Sequence, residues 1–220
     1  MSVIEFSGRF FVRVLVLMAL STAGAFVGAA MLGWIPASTE NGIVENYQLL
    51  LLAVSLMAGT LAAIWSRHLL RVAMAGWTVL SLLLIQREID FSMLGRESWL
   101  HAISDLSLRL AFWLPVFALV LICALPYWRF VLRSVAALRW VHLWPTVLTG
   151  ALMVASELAE QMLKAGIFHS HYRMLNFMEE VLEMNGYCVI AATAVAIAAR
   201  TRRPASAEAV AARNRLDPAG

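Results

Sequence analysis

The sequence predicts an all-α bundle of six transmembrane helices, and three observations support this fold class. Hydrophobic residues make up 61% of the 220 positions, and the mean hydropathy is +0.76. The apolar residues fall into six long runs separated by short polar loops, and several runs approach the ~20 residues that a helix needs to cross a bilayer. Successive loops also differ in charge. A soluble single domain would not combine these features.

The charge of alternate loops predicts the orientation of the bundle. When the loops are assigned alternately to two sides, twelve arginines and three carboxylates lie on one side, and five basic and eleven acidic residues lie on the other. Arg and Lys near membrane spans are retained in the cytoplasm. We therefore expect a multi-pass membrane protein with both termini cytoplasmic and the acidic side outward. The pI near 9.2 reflects this loop bias and does not indicate nucleic-acid binding.

The spans on the N-terminal side follow from the apolar runs. Span 1 is predicted at residues 10–35, which is longer than the apolar core of a secretory signal of roughly 7–15 residues, so we expect a retained helix. Pro36 closes it, because proline does not fit inside a helix. Span 2 is predicted at residues 43–65, and residues 66–71 are predicted as a short basic turn. Span 4 is predicted at residues 106–128, without an acid inside it.

Span 3 carries charges at membrane depth. Its uncharged stretch, residues 72–86, covers only about 22 Å of helix at 1.5 Å per residue. The hydrocarbon core is about 30 Å thick. The helix must therefore continue through Arg87, Glu88 and Asp90, which places these charges at the outer boundary of the membrane.

Spans 5 and 6 repeat this arrangement on the same side. Span 5 is apolar over residues 143–156 and continues into Glu157 and Glu160. Span 6 is apolar over residues 184–199 and is preceded by the glutamate-rich stretch 179–183. Because span 2 also opens with a glutamate, four of the six spans present carboxylates at one depth.

The remaining segments are assigned from their composition. Glu97, His101 and Asp105 recur every four residues and share one helical face, which predicts an amphipathic helix on the outer surface. The transmembrane domain is predicted at residues 1–203. Residues 204–220, rich in Ala and Arg, are predicted to form a flexible cytoplasmic tail.

The strongest candidate site is the set of carboxylates at one depth. Ionisable groups inside a membrane are costly and usually face a bundle interior or a water-filled cavity, so they indicate function. Carboxylates at one level repel each other unless they are paired, protonated or bound to a cation. We expect Lys164 to neutralise Glu157, and protons or a metal to neutralise Glu88 and Glu180; salt bridges without chemistry are the alternative. The predicted catalytic set is Glu45, Glu88, Asp90, Glu157, Glu160, Glu180 and Glu183.

A divalent metal such as zinc is a more specific form of this hypothesis. His101, His169 and His171 lie on the acidic side, and imidazole with carboxylate is a suitable ligand set for zinc. The spacing of these histidines matches no established metal motif, because the chain has no HExxH. Salt bridges or solvated loop histidines remain the alternative.

A polar stripe on span 6 supports a shared site. Asn176, Glu180, Glu183 and Tyr187 stand at positions i, i+4, i+7 and i+11, which places them on one helical face. Such a face would line a cleft between helices.

Three short segments of the chain resemble a group of bacterial polytopic inner-membrane proteins. They are Glu40-Asn-Gly-Ile-Val-Glu45, Arg87-Glu-Ile-Asp-Phe91 and Glu179-Glu-Val-Leu-Glu183. The resemblance covers about residues 40–187 and implies that these acids form one site, without implying an activity. A His often follows the aromatic residue in that group, whereas this chain has Ser92, which argues against a metal.

Three functional hypotheses follow from the acidic side. A membrane-embedded enzyme acting on a lipid or lipid-linked substrate at the outer leaflet would use the carboxylates as general acid and base, with or without a divalent metal that activates water. A cation- or proton-coupled transporter would use the same acids for binding, although the inner halves of the spans are almost purely apolar. A non-catalytic assembly protein would bind a membrane-protein partner through its outer loops.

Overall fold

The structure, a computed structural model, is built from α-helices. It describes residues 6–33, 42–89, 106–129, 132–133, 139–165 and 172–202, and within these ranges every regular element is helical, as the sequence predicts. The helices in chain order are α1 Gly8–Leu32, α2 Ile43–Trp65, α3 His68–Glu88, α4 Leu106–Ala124, α5 Trp140–Lys164 and α6 Tyr172–Thr201. A 3₁₀ turn at Leu125–Tyr127 extends α4.

Local backbone chemistry sets both ends of α1. Ser7 Oγ accepts a hydrogen bond from the N–H of Phe10 at 3.4 Å and caps the first turn. At the other end Gly33 has a φ of 95°, which glycine adopts without strain, and its N–H donates to the carbonyl of Ala29. The helix therefore ends at Leu32, before the predicted end at residue 35.

A tight turn joins α2 and α3. The bounds of α2 agree with the prediction, but the predicted turn over residues 66–71 is wrong, because α3 already begins at His68. Ser66 and Arg67 are extended, and His68 has a φ of 52°, which is uncommon for a residue with a side chain. This short connection allows α2 and α3 to pack side by side along their lengths.

The last helix, α6, lies at the centre of the bundle. It contains 30 residues and packs against α1, α2 and α5, whereas α3 packs on α2 and α4 packs on α3. Phe177, Tyr187 and Cys188 of α6 are fully buried. Gly186 allows α5 to approach closely, because a Cβ atom there would collide with the side chain of Met153.

Contacts near the helix ends bring the basic residues to one end of the bundle. Trp144 Nε1 donates to the carbonyl of Phe6 at 3.3 Å, so α1 and α5 begin at the same end. Arg202 lies over the Trp65 ring, 5.9 Å from its centroid, so α2 and α6 finish there as well. A buried apolar cluster joins all of these parts. We call this the basic end, after Arg9, Arg13, Arg67, Arg71, Arg139, Arg200 and Arg202; the opposite end, which carries the glutamates, is the acidic end.

Four helices are long and apolar enough to cross a membrane: α1, α2, α3 and the Arg173–Thr201 part of α6. Large apolar side chains cover their outer surfaces; Leu20, Met31 and Ile64 are 67%, 78% and 63% exposed. An extended apolar surface of this kind indicates contact with a membrane or another apolar partner. The predicted all-helical fold is confirmed, and these four helices have the length and composition that membrane spans require. The apolar part of α4, Trp113–Tyr127, is shorter.

The charged ends of the helices agree in part with the sequence. α3 continues to Glu88, and α5 continues through its glutamates to Lys164, as their spacing predicts. Since α6 begins at Tyr172, the glutamates of 179–183 lie about two turns inside this helix and not at its start. The predicted amphipathic segment, residues 97–105, and the predicted tail lie outside the described residues.

Candidate functional site

The C-terminal end of α3 contacts the middle of α6 through Glu88. The Tyr187 hydroxyl donates to Glu88 Oε1 at 2.7 Å. Tyr187 is 0% exposed, and Glu88 is half-buried. A buried tyrosine hydroxyl requires a hydrogen-bond partner, and here a carboxyl group on a neighbouring helix provides it.

An ion pair joins the same two helices one residue earlier in α3. Arg87 Nη2 lies 2.5 Å from Glu183 Oε1. The Arg87 side chain is 48% exposed, whereas that of Glu183 is 9% exposed, so the arginine reaches inward from the surface to a buried carboxylate. Removing the arginine would leave that buried charge without its partner.

α2 contributes an amide to a third carboxyl group. Gln48 is 0% exposed, and its Nε2 donates at 2.9 Å both to Glu180 Oε2 and to the carbonyl of Glu180. The two hydrogen bonds orient the amide and hold the carboxyl group against α2. Within the described part of the chain, Gln48 Oε1 is buried without a hydrogen-bond partner.

These three contacts define a carboxylate cluster at the acidic end. It contains three carboxyl groups and one guanidinium, and Glu180 lies within electrostatic range of both Glu88 and Glu183. Since Arg87 balances Glu183, Glu88 and Glu180 require a proton or a cation to become neutral. The cluster consists of Gln48, Arg87, Glu88, Glu180, Glu183 and Tyr187.

Two further glutamates lie close to the cluster. Glu45 of α2 is within electrostatic range of Glu88, and Glu179 of α6 is within electrostatic range of Glu160 and Glu183. The sequence-based set includes Glu45 and omits Glu179, although Glu179 opens the acidic motif of α6. Glu45 and Glu179 each add a further carboxyl group to the acidic end, which already has more carboxyl groups than guanidinium groups.

The two predicted glutamates of α5 are engaged along their own helix. Glu157 is exposed and accepts a hydrogen bond from Gln161 Nε2 at 2.7 Å. Lys164 forms its ion pair with Glu160 at 2.5 Å, whereas Glu157, the expected partner, lies only within electrostatic range of Lys164. The reason is helical spacing: residues four apart are neighbours on one face, whereas residues seven apart are separated by about 10 Å along the axis.

The described residues contain no group of three or more His, Cys, Asp or Glu arranged to hold a metal ion. The predicted metal ligands His101, His169 and His171, and the predicted site residue Asp90, lie outside those residues. The described cluster consists of carboxyl, hydroxyl, amide and guanidinium groups.

Comparison of the chain with protein-family models, curated proteins and solved structures finds no match. The functional argument therefore depends on the chemistry and geometry of the cluster, since function belongs to a site and not to a fold class. The resemblance of the three acidic segments to bacterial membrane proteins stays a prediction.

A second group of polar contacts continues inward from the cluster. Ser21 Oγ lies 3.2 Å from the Tyr47 hydroxyl and accepts from Cys188 Sγ at 3.4 Å. Asn185 Nδ2 donates to Thr22 Oγ1 at 2.9 Å. These contacts join α1, α2 and α6; on α6, Asn185 and Cys188 lie two and five residues beyond Glu183.

Nearer the basic end the buried interior is almost entirely apolar. Thr193 is an exception on α6, and its hydroxyl has no hydrogen-bond partner among the described residues. Buried apolar side chains from α1, α2, α3, α5 and α6 form one cluster toward this end. This packing fills the interior of the described helices between the polar contacts and the basic end. The buried residues of this apolar core include Val14, Ala58, Ala62, Met74, Trp144, Ala194 and Ile197.

The sequence predicts some of these partners and misses others. The stripe on α6 is confirmed for Glu180, Glu183 and Tyr187, each of which contacts a side chain of α2 or α3. Gln48 is missed as a site residue. Its signal is an amide group at the point where α2 turns from polar to apolar residues, which is costly in a membrane unless the bundle supplies a partner.

Proposed function

We propose that this chain is a six-span bacterial inner-membrane protein with cytoplasmic termini, and that the carboxylate cluster is the outward-facing acid/base site of an enzyme acting on a lipid or lipid-linked substrate. The observation that carries this proposal is the unequal charge of the cluster, in which three carboxyl groups meet one guanidinium. Glu88 and Glu180 are held by neutral donors, so their protonation can change without breaking an ion pair.

The arrangement of charges supports the proposed topology. Arginines gather at the basic end, and this end is the cytoplasmic one under the rule that basic residues are retained inside. α5 has 25 residues, about 37 Å of helix, which is sufficient to span the hydrocarbon core despite its charged last turns. α4 and its 3₁₀ extension supply the remaining span.

Two carboxyl groups in different surroundings suit general acid–base catalysis. Glu88 accepts from the Tyr187 hydroxyl, whereas Glu180 accepts from the Gln48 amide. An ionised carboxylate takes the proton of an attacking hydroxyl or water, and a protonated carboxyl group gives its proton to the leaving oxygen. Neighbouring acids divide these roles when their environments favour different protonation states. Gln48 and Tyr187 serve as positioning residues.

One observation favours a cation- or proton-coupled transporter as the second candidate. Gln48 Oε1 is a buried acceptor beside Glu180 without a donor in the described structure, and such an oxygen is suited to a cation or a donated proton. A transport path must also reach the basic end. The buried apolar cluster toward the basic end argues against such a path.

Lipid analysis of a deletion strain complemented with variants tests the enzyme. We expect deletion to change the amount of one lipid or lipid-linked species, and the wild-type chain to restore it. Glu88→Gln and Glu180→Gln should not restore it, because an amide cannot exchange a proton as a carboxyl group does. Glu157→Gln is the matched control, since Glu157 is an exposed carboxylate at the same end and should be dispensable.

Membrane levels of each variant are measured in the same samples by immunoblotting. Restoration of the lipid by both Glu88→Gln and Glu180→Gln at normal levels would contradict the proposal. So would a deletion strain whose lipids are unchanged while a proton-driven uptake activity is lost, and this second result would support the transporter.

A further inference from the structure

An open groove lies between α2 and α3 near the basic end, far from the carboxylate cluster. Its volume is about 630 Å³. Thr60 and Ile64 of α2 form one wall, and Ala75 and Thr78 of α3 form the other, with Arg71 at the mouth. The volume lies in the range of pockets that accept small organic ligands.

The walls of this groove present an apolar surface, because its two threonine hydroxyls are hydrogen-bonded within their own helices. The Thr60 hydroxyl donates to the carbonyl of Leu56 at 2.8 Å, and the Thr78 hydroxyl donates to the carbonyl of Met74 at 3.0 Å. Each hydroxyl hydrogen is therefore committed to its own helix. The methyl groups and neighbouring aliphatic side chains form the surface that an occupant contacts.

The guanidinium of Arg71 is fixed at the mouth by the turn between the helices. Arg71 Nε donates to the carbonyl of Ser66 at 3.0 Å, across the turn that His68 makes with its φ of 52°. The guanidinium carries further N–H groups on its two terminal nitrogens, and none of these has a hydrogen-bond partner among the described residues. A cation held in place in this way is suited to a phosphate group.

The length of the groove fits an extended apolar chain. Arg71 and Val79 line opposite ends of it and are eight residues apart on α3, which corresponds to about 12 Å along the helix axis. The groove runs from the basic end toward the middle of the bundle. An occupant that complements it carries negative charge at one end and a hydrocarbon chain at the other.

We propose that this groove binds one phospholipid with a net anionic headgroup, whose phosphate lies on Arg71 and whose acyl chain lies between Thr60 and Ala75. Basic pockets between helices on the cytoplasmic side are suited to anionic lipid headgroups. Arg202, which lies over the Trp65 ring, adds positive charge at the same end of the bundle. This lipid site is separate from the carboxylate cluster and independent of the proposed enzyme activity.

Native mass spectrometry of the delipidated full-length protein in detergent tests the site. Dioleoyl phosphatidylglycerol and dioleoyl phosphatidylcholine, which share their acyl chains, are titrated separately. We expect the first phosphatidylglycerol to bind more tightly, and Arg71→Gln to reduce this preference roughly fivefold, the loss expected for one arginine near an anionic surface. Arg71→Lys keeps the charge but loses the Nε hydrogen bond to Ser66, so it should retain only part of the preference.

Arg67→Gln is the matched control, because Arg67 is an exposed arginine of the same turn that makes no side-chain cap bond and does not line the groove. It should change the preference less than twofold. Ala75→Phe, which narrows the groove, should weaken binding of both lipids. Inorganic phosphate, which lacks an acyl chain, should not displace the lipid.

Four results would overturn the proposal. They are equal binding of the two lipids by the wild type, equal loss in Arg67→Gln and Arg71→Gln, displacement of the lipid by phosphate, and unchanged lipid binding in Ala75→Phe. A dimer that Ala75→Phe dissociates would show that a second copy of the chain occupies the groove instead.

Discussion

At the scale of residues, each carboxyl group of the cluster is held by a different kind of donor. Glu183 faces the guanidinium of Arg87, Glu88 faces a phenol, and Glu180 faces an amide. The charged guanidinium stabilises the ionised carboxylate specifically. A neutral phenol or amide can donate a hydrogen bond equally to the carboxylate or to the side-chain oxygen of a glutamine at the same position. The three glutamates should therefore respond differently to the same substitution.

We predict that Glu183→Gln is the most destabilising of the three Glu→Gln changes. It leaves Arg87 without its carboxylate and should lower the free energy of unfolding by about 1–3 kcal/mol. Glu88→Gln and Glu180→Gln keep an acceptor oxygen for Tyr187 and Gln48, so each should cost less than about 1 kcal/mol. The measurement is the thermal midpoint of the purified variants in detergent, where about 1 kcal/mol corresponds to about 2–4 °C.

Wild-type protein and Glu157→Gln, an exposed carboxylate bonded to its own helix, set the baseline. A loss of stability in Glu88→Gln and Glu180→Gln as large as that in Glu183→Gln would show that both carboxyl groups serve as structural anions. The proposed proton exchange would then lack support.

At the scale of elements, two helix contacts hold the cluster in place. α2 and α3 are joined by a buried polar contact, in which Ser55 Oγ lies 2.9 Å from Ser81 Oγ and accepts from Trp77 Nε1 at 2.9 Å. α5 and α6 approach at Gly186, where the side chain of Met153 fills the space beside the backbone. The first contact depends on polar partners, and the second depends on the absence of a side chain.

Ser55→Ala should destabilise the α2–α3 contact. It leaves the Trp77 indole N–H and the Ser81 hydroxyl without their shared partner, which should cost about 1–3 kcal/mol. Thr60→Ala is the matched control, because its hydroxyl is exposed and donates to its own helix. Denaturant or thermal unfolding in detergent measures both, and an equal small effect of the two changes would contradict the prediction.

Gly186→Leu should separate α5 from α6. A leucine side chain needs the volume that Met153 occupies, and overpacking of this kind costs about 1–3 kcal/mol. Gly186→Ala should be much milder, because the flexible end of Met153 can move and alanine favours the helix by about 1 kcal/mol. Gly150 has no atom within 4 Å of a Cβ position, so Gly150→Leu is the control. Thermal midpoints test the ranking, which would fail if both leucine variants lost equal stability.

At the scale of the whole molecule, charge is separated along the bundle axis. Contacts at Trp144 and Trp65 gather the arginine-bearing helix ends, and contacts at Glu180 and Glu183 gather the acidic ones. The two ends are joined by apolar helices whose outer surfaces are exposed. A chain of this kind has one favourable orientation in a membrane, because the arginines resist translocation.

Labelling of single cysteines in intact cells tests this orientation. In a background without Cys123 and Cys188, an impermeant thiol reagent should modify cysteines introduced at Ser38, Ser98 and Ser170. It should not modify cysteines at Arg67 or Ser134 until the cells are opened. Arg67 is preferred to its neighbour Ser66, which is 4% exposed and would be unreactive on either side. The opposite pattern would reverse the assignment.

The sequence by itself determined the class, the bounds of α2, and the continuation of α3 and α5 into charged residues. These follow from the length of apolar runs and from the cost of leaving charge in hydrocarbon, which are properties of each segment alone. It also placed Glu180, Glu183 and Tyr187 on one face, because helical periodicity requires no knowledge of neighbouring helices.

Tertiary structure alone decided which of the acids meet. Glu88 and Glu180 converge because α3 packs on α2 and its C-terminal end reaches α6, whereas Glu157 stays on the surface of α5. Gln48 joins the site through a contact with Glu180, 132 residues away in the chain. Depth along a helix can be counted from the sequence, but the rotation of each helix about its axis is set by packing. Packing is what separates a buried carboxyl group from an exposed one at the same depth.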